Sequence, residues 1–289
     1  TGLTLGFPAG FSAGFPAGLW ACLALALAVT LTLSGCSVAR GPDAAARLAA
    51  WLPADVLLLG EQHDASAHQA IEEQVVAALA ARGELAALAL EMADSGHSTA
   101  GLPAGASEAQ IRSQLRWNND AWPWAAYGQA VMAAVRAGVP VLGANLPRAD
   151  MRASMADTQL DQRLPAPAFK AQQQLIRQGH CDLLPESQIT PMTRIQIARD
   201  RRMADTLAQA LQPGKVVLLL SGSVHADKRL GVPQHLPAGL RVKSVRLLAG
   251  GQGLAGESFD SVWGTEATPD KDHCAGLREQ FGKPATPQS

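Results

Sequence analysis

Apolar residues fall along this chain in two alternating rhythms, short unbroken runs and longer stripes at helical spacing. The run "DVLLLG" (Asp55 to Gly60) is almost wholly apolar, as a strand buried on both faces must be. After it, "SAHQAIEEQVVAALAARG" repeats apolar positions at Ile71, Val75 and Leu79, a helical stripe that Gly83 closes. "LAALALEM" (Leu85 to Met92) and "VPVLGAN" (Val139 to Asn145) read as the second and third strands. Between them, Ser107 and Gln110 have the spacing of a capping box. The segment "NNDAWPWAAYGQAVMAAVRAG" predicts a helix with Trp124, Tyr127, Val131 and Val135 on one face and Gly138 at its end. In "TPMTRIQIARDRRMADTLAQALQPG" the expectation is Thr190 as N-cap, Pro191 at the first helical position and Pro213-Gly214 as the stop. "VVLLLSG" follows as a fourth strand, "LRVKSVRLL" as a more exposed fifth and "SFDSVW" as a short last one.

Strands separated by helices imply βαβ units, hence an α/β fold with a mostly parallel sheet covered by helices on both faces. No linker divides the body, so residues 37–281 read as one domain, with "GKPATPQS" at 282–289 as a disordered tail.

The first 36 residues stand apart. "LWACLALALAVTLTL" (Leu19 to Leu33) is too short for the roughly 20 residues that span a bilayer and fits the apolar region of a secretory signal. "LSGC" (Leu33 to Cys36) has the form of a lipobox, which makes Cys36 the lipidation site and the new N-terminus. Ser37 rather than Asp follows it, which points to the outer membrane, facing the periplasm. An ordinary cleaved signal with a chance cysteine is the alternative. Outside the cytoplasm disulfides persist, so Cys181 and Cys274 are expected to bridge, with two unpaired thiols as the other reading. The formal charge of −1 gives no footprint for nucleic acid.

The strand ends carry the chemistry. "LLLGEQHD" and "VVLLLSGSVH" both finish in Gly-x-x-His, at His63 and His225. In open parallel sheets, ligands bind beyond the carboxyl ends of the strands. Those ends hold Glu61 and His63, then Glu91, then Asn145, then Ser223 and His225. Glu61 and His63 fall on one side of an extended chain, because side chains alternate with period two. Two carboxylates and two imidazoles suit a divalent metal or acid–base chemistry on water. Singly, each has a structural role open to it: Glu61 or Ser223 as a helix cap, His225 as a satisfied half-buried histidine. No HExxH or Cys-x-x-Cys spacing is present, so a standard zinc site is not indicated. "GQGLAG" (Gly251 to Gly256) lacks a following amphipathic helix and reads as a glycine-rich turn. Arg199 shares the stripe of Ile195 and Met203 and is expected to turn toward the site.

Taken in order, "LLLGEQHD", "LALEM", "WPWAAYGQAV…AGVPVLGANLPR", "GHCDLLPE", "IQIARDRRMADTL" and "VVLLLSGSVHADKRLGVPQHL" resemble the ChaN-like haem-binding lipoproteins. The resemblance runs from about Leu48 to Phe281 and implies a ChaN/erythromycin esterase-like fold. It also implies haem binding in iron acquisition and a homodimer around two stacked haems. A tyrosinate ligand would then be Tyr127, the one tyrosine of the chain, with His180 as a second contact. From spacing alone, Tyr127 is a core residue beside Trp124 and Val131. The wider superfamily holds erythromycin esterase-like hydrolases and Tiki-type metalloproteases. By resemblance to those, Glu61, His63, Glu91 and His225 are the catalytic or metal-holding set of a rival, hydrolytic reading.

Overall fold

The computed structural model describes residues 44–251, 253 and 255–281. The expected signal with its lipid site at Cys36, and the expected tail at 282–289, lie outside the described residues, as do two positions of the glycine-rich turn.

Among the described residues six strands form one sheet: β1 (Val56–Glu61), β2 (Leu85–Asp94), β3 (Val141–Asn145), β4 (Val216–Gly222), β5 (Val242–Ala249) and β6 (Ser261–Thr265). Their order across the sheet is β3-β2-β4-β1-β5-β6, and every neighbouring pair is parallel. The helices are α1 (Ala44–Trp51), α2 (Ser66–Ala81), α3 (Glu108–Gln114), α4 (Trp124–Arg136), α5 (Arg148–Ala156), α6 (Ala166–Gly179), α7 (Glu186–Gln209), α8 (Ser223–Ala226) and α9 (Ala275–Phe281).

The unbroken apolar runs are explained by two cores, one on each face. Leu57 and Leu59 of β1, with Leu218 and Leu220 of β4, pack under α2 and α4 beside Val75, Leu79, Val131 and Val135. The alternate residues Val56, Leu58, Val217 and Leu219 face α7, meeting Met203 and Leu207. A strand buried on both sides has no polar alternation to show. Each such leucine removed from water contributes about 1.5–3 kcal/mol.

Helix boundaries follow their local signals with one exception. Ser107 caps α3, and the reciprocal capping box with Gln110 is formed. Helix α4 runs out at Ala137, and Gly138 leaves it with a φ of 72°. The expected start of α7 at Thr190 is wrong: the helix begins at Glu186, after Pro185, and carries Pro191 inside it. Pro191 lacks one backbone N–H. The extra turn buries Ile189, whose carbonyl also accepts the Thr193 hydroxyl at 2.8 Å, and this outweighs the lost bond.

Cys181, just past α6, is joined to Cys274, just before α9. Their Cα atoms are 5.9 Å apart.

The chain leaves β1 toward β2 on one side, whereas it leaves β4 toward β5 on the other. Strands β1 and β4 are neighbours, so their carboxyl ends flank the point where the winding reverses. A crevice forms there because the two connections part. Glu61 and Gly222 stand opposite each other at that point.

Candidate functional site

The two Gly-x-x-His endings fit together. A Cβ on Gly60 would lie 2.8 Å from the Ser223 Cα and 2.9 Å from the Ala226 Cβ. A Cβ on Gly222 would lie 3.0 Å from the His63 Nε2. Each glycine therefore makes room for the other strand's ending. Sharp exits are not the reason, since neither glycine has positive φ.

Four of the strand-end residues meet, and they do so as a string. Glu61 lies at the centre of its first part, 1% exposed. Its Oε1 accepts the Tyr127 hydroxyl at 2.7 Å and stands 2.8 Å from the His63 Nδ1. Its Oε2 accepts the Gln69 amide at 2.6 Å. Beyond His63, Nε2 is 3.9 Å from the Glu91 Oε2. That same oxygen takes the backbone N–H of Gly222 at 2.7 Å, and the Glu91 Oε1 is 3.3 Å from the His225 Nε2. His225 closes the string on Asp200, with Nδ1 and Oδ1 2.5 Å apart. The order is Tyr127, Glu61, His63, Glu91, His225, Asp200.

Only one member of the string reaches solvent to any extent. The His63 side chain is 38% exposed, whereas those of Glu61, Glu91, His225 and Asp200 are buried. Trp122 stands edge-on to the His63 ring, 4.8 Å between centroids, and also against Tyr127 at 6.1 Å. Trp117 packs against Tyr127 as well, at 6.1 Å. These indoles cover the string and leave the His63 ring as its outlet.

Charge is arranged in alternation. Burial, the largest influence on His225, opposes its positive form, but Glu91 and Asp200 outweigh it and raise the imidazole to about 10. Burial likewise opposes a charged Glu91, and is outweighed by His225, His63 and the Gly222 N–H, which hold the carboxyl far below its usual range. Asp200 is pushed up to about 6, because its burial exceeds the help from His225. His63 is raised: burial pulls it down, and the Glu61 hydrogen bond with the Glu91 charge more than restores it. At neutral pH an imidazolium sits between two carboxylates.

Not every expected residue joins the string. Asn145 and Ser223 are not in the string. The Asn145 side chain accepts the Leu146 N–H beside it, and Ser223 opens the single turn of α8. The four residues Glu61, His63, Glu91 and His225, the expected divalent-metal set, are brought together in this structure as ion pairs. Their polar atoms face one another in pairs instead of converging on a point, and no group of three or more His, Cys, Asp or Glu among the described residues is arranged to hold an ion. Tyr127, the expected tyrosinate, is 1% exposed and donates its hydroxyl to Glu61. Burial first, then the Glu61 charge, drive its titration above the usual phenol range, so it stays a phenol.

Three residues of the site escaped the sequence reading. Asp200 lies on the buried stripe of α7 with Thr193, Ile197, Ala204 and Leu207, so an acid at an apolar position was the available signal. Glu72 lies likewise between His68 and Val75 on the buried stripe of α2, and neither of its oxygens has a partner. Its burial, then the nearby Glu61, hold it protonated well above the usual carboxylate range. Gln69, which fixes Glu61, gave no signal. Arg199 is half-buried with its Nε unpartnered, and its charge acts on Asp94 and Asp200.

Comparison with known proteins decides the family. The family described as haem-binding uptake, Tiki superfamily, ChaN matches residues 47–236. The chain belongs to that family. A solved structure of cofacial haem binding to ChaN of Campylobacter jejuni is similar at 28% identity and a TM-score of 0.61. The similarity covers 75% of this chain and 89% of the Campylobacter protein. The type III effector HopBA1 aligns over 79% of this chain and 95% of its own, at 18% identity and a TM-score of 0.44. No curated protein sequence matches the chain. As a ChaN-family member, the chain has all the elements that build the string inside the matched span, from Glu61 to His225.

Proposed function

We propose that this ChaN-family protein binds haem through His180 and serves haem or iron uptake. In this reading it is lipid-anchored at Cys36 to the outer membrane, faces the periplasm, and works as a homodimer. Membership of the haem-binding family over residues 47–236 is the observation that carries the reading. The cofacial haem binding of Campylobacter ChaN supports two chains facing each other.

His180 fits an iron better than Tyr127 does. It ends α6, half-buried, with Nδ1 2.8 Å from the Ile176 carbonyl. A carbonyl only accepts, so Nδ1 carries the proton and Nε2 keeps its lone pair for a metal. Around it Leu175, Ile176, Leu183 and Leu184 are half-buried and belong neither to the two cores on the sheet nor to the small cluster of Leu160, Leu164 and Ile197. An apolar porphyrin face suits such side chains.

The test is an absorption titration of the protein with ferric haem, beside the Tyr127→Phe and His180→Ala variants. The expected result is a saturable Soret shift that survives Tyr127→Phe and is lost or strongly weakened in His180→Ala. Loss in Tyr127→Phe alone would return the ligand to the tyrosine. No saturable shift in any of the three sinks the haem reading.

A second reading rests on the string itself. A buried string of carboxylates and imidazoles that surfaces at one exposed histidine is the arrangement a general base needs, with Glu61 fixing the tautomer and the Glu91 carboxylate stabilising the imidazolium that forms. In that reading His63 takes a proton from water and the reaction is hydrolysis of an ester or amide. Ester turnover that disappears in His63→Ala and persists in His180→Ala is its signature.

A further inference from the structure

A second cluster of polar groups lies outside the string, beside α7. The 3-10 turn Thr158–Gln162 and the 3-10 turn Val232–His235 both pack on this helix. Between them is a cavity of about 300 Å³ lined by Arg163, Arg201, Asp205, Gln234 and His235. Every lining residue is polar or charged, and two guanidinium groups face one carboxylate.

The guanidinium groups of this cavity are uncommitted. Arg177, Arg194 and Arg202 each pair with a carboxylate, but among the described residues neither Arg163 nor Arg201 has one within 4.0 Å. That includes Asp205, one turn along α7 from Arg201. The imidazole is uncommitted too. The His235 Nε2 is buried and has no hydrogen-bond partner. A buried ring nitrogen left unpaired is costly, and such groups ordinarily meet a water or an ion. Gln234 does not supply the partner, because its amide nitrogen donates to the Lys228 carbonyl at 2.5 Å.

We propose that Arg163, Arg201 and His235 form a binding pocket for a small oxyanion, a phosphate or carboxylate group. Two guanidinium forks present donors in the geometry that such oxygens accept, and the imidazole adds a third donor from a buried position. His235 itself is held neutral: burial, then Arg201, then Arg163 lower its titration to about 4. A bound anion offsets the charge of the two guanidinium groups, so the His235 titration rises while the neutral ring, with its proton on Nε2, donates to the anion. Two sources supply this chemistry: a free phosphate group, and the propionates of haem. The haem source rests on the reading above, and the phosphate source does not.

The test is an NMR titration of the full chain with inorganic phosphate, following the ring resonance that is absent from His235→Gln. The expected result is a saturable shift, with the His235 midpoint raised by about one pH unit or more at saturation. Arg201→Gln and the exposed Arg163→Gln should each weaken phosphate about tenfold while leaving the circular dichroism spectrum unchanged. A haem titration with and without saturating phosphate then separates the sources. Competition identifies haem propionates as the natural occupant, and its absence identifies a separate phosphate-bearing ligand. Haem that moves His235 where phosphate does not assigns the pocket to carboxylates. If neither phosphate up to about 100 mM nor haem moves the His235 resonance, the pocket holds only water and the proposal is overturned. Phosphate binding in a chain that fails to take up haem would leave the pocket standing and remove the haem reading alone.

Discussion

Gly222 faces the ring of His63 so closely that a Cβ there would stand 3.0 Å from the imidazole Nε2 and 3.6 Å from the Glu91 Oε2. Its counterpart Gly60 faces backbone, the Ser223 Cα, at 2.8 Å, and the Ala226 Cβ at 2.9 Å. The obstacle differs in kind, and so should the cost. His63 is partly exposed and can swing away, whereas the Ser223 backbone cannot. Gly60→Ala is expected to destabilise by about 1–3 kcal/mol or more, as overpacking in a filled core does. Gly222→Ala is expected to cost less than about 1 kcal/mol and to displace His63 instead. Urea denaturation of the two variants checks this, and equal losses would show that His63 is held as firmly as backbone.

Removing the imidazole between Glu91 and Asp200 leaves two buried carboxylates without their cation. His225→Asn is therefore expected to destabilise by about 3–5 kcal/mol, the range for a broken buried ion pair. A midpoint within error of the unaltered protein would mean that water enters and replaces the ring. The double variant His225→Asn/Asp200→Asn should recover part of the loss, since one of the orphaned charges has gone.

Stability should depend on pH from both sides. His225 is raised above its ordinary 6.5 to about 10, so its contribution is complete below 6.5 and is lost as pH climbs through 10. Asp200 is raised from 3.8 to about 6, so its contribution is complete below 3.8 and is lost as pH rises through 6. Glu91 is depressed below its ordinary 4.5, so its contribution is complete above 4.5 and is lost as pH falls below that value toward its folded one. Together these place the optimum between the ordinary values of the two carboxyls, near about pH 4, with the longer decline on the alkaline side. Urea midpoints taken from about pH 3 to 10 test it, and His225→Asn should flatten the alkaline limb.

The Cys181–Cys274 bond closes a loop across 93 positions. Its removal is expected to cost about 2–5 kcal/mol. Thermal melting with and without reductant, beside Cys274→Ser, measures this, and the two routes should agree. The segment from Glu266 to Arg278, mostly exposed, is expected to become sensitive to protease once released.

Unbroken apolar runs and glycine-terminated stripes determined the α/β fold by themselves, because a strand covered on both faces cannot alternate and a parallel pair requires a crossover. Glu61, His63, Glu91 and His225 were legible for a related reason: each lies at or just past the carboxyl end of a strand, and parallel strands deliver those ends to one rim. Tertiary structure alone decided how they connect. Tyr127 reaches Glu61 across 66 positions, and Asp200 reaches His225 across 25, both from helices whose facing is fixed by packing. The apolar stripes around Tyr127, Asp200 and Glu72 gave the helices, yet a stripe shows only that a position is buried. Which partner waits there depends on how two layers dock, and that is what set the Tyr127 hydroxyl against Glu61.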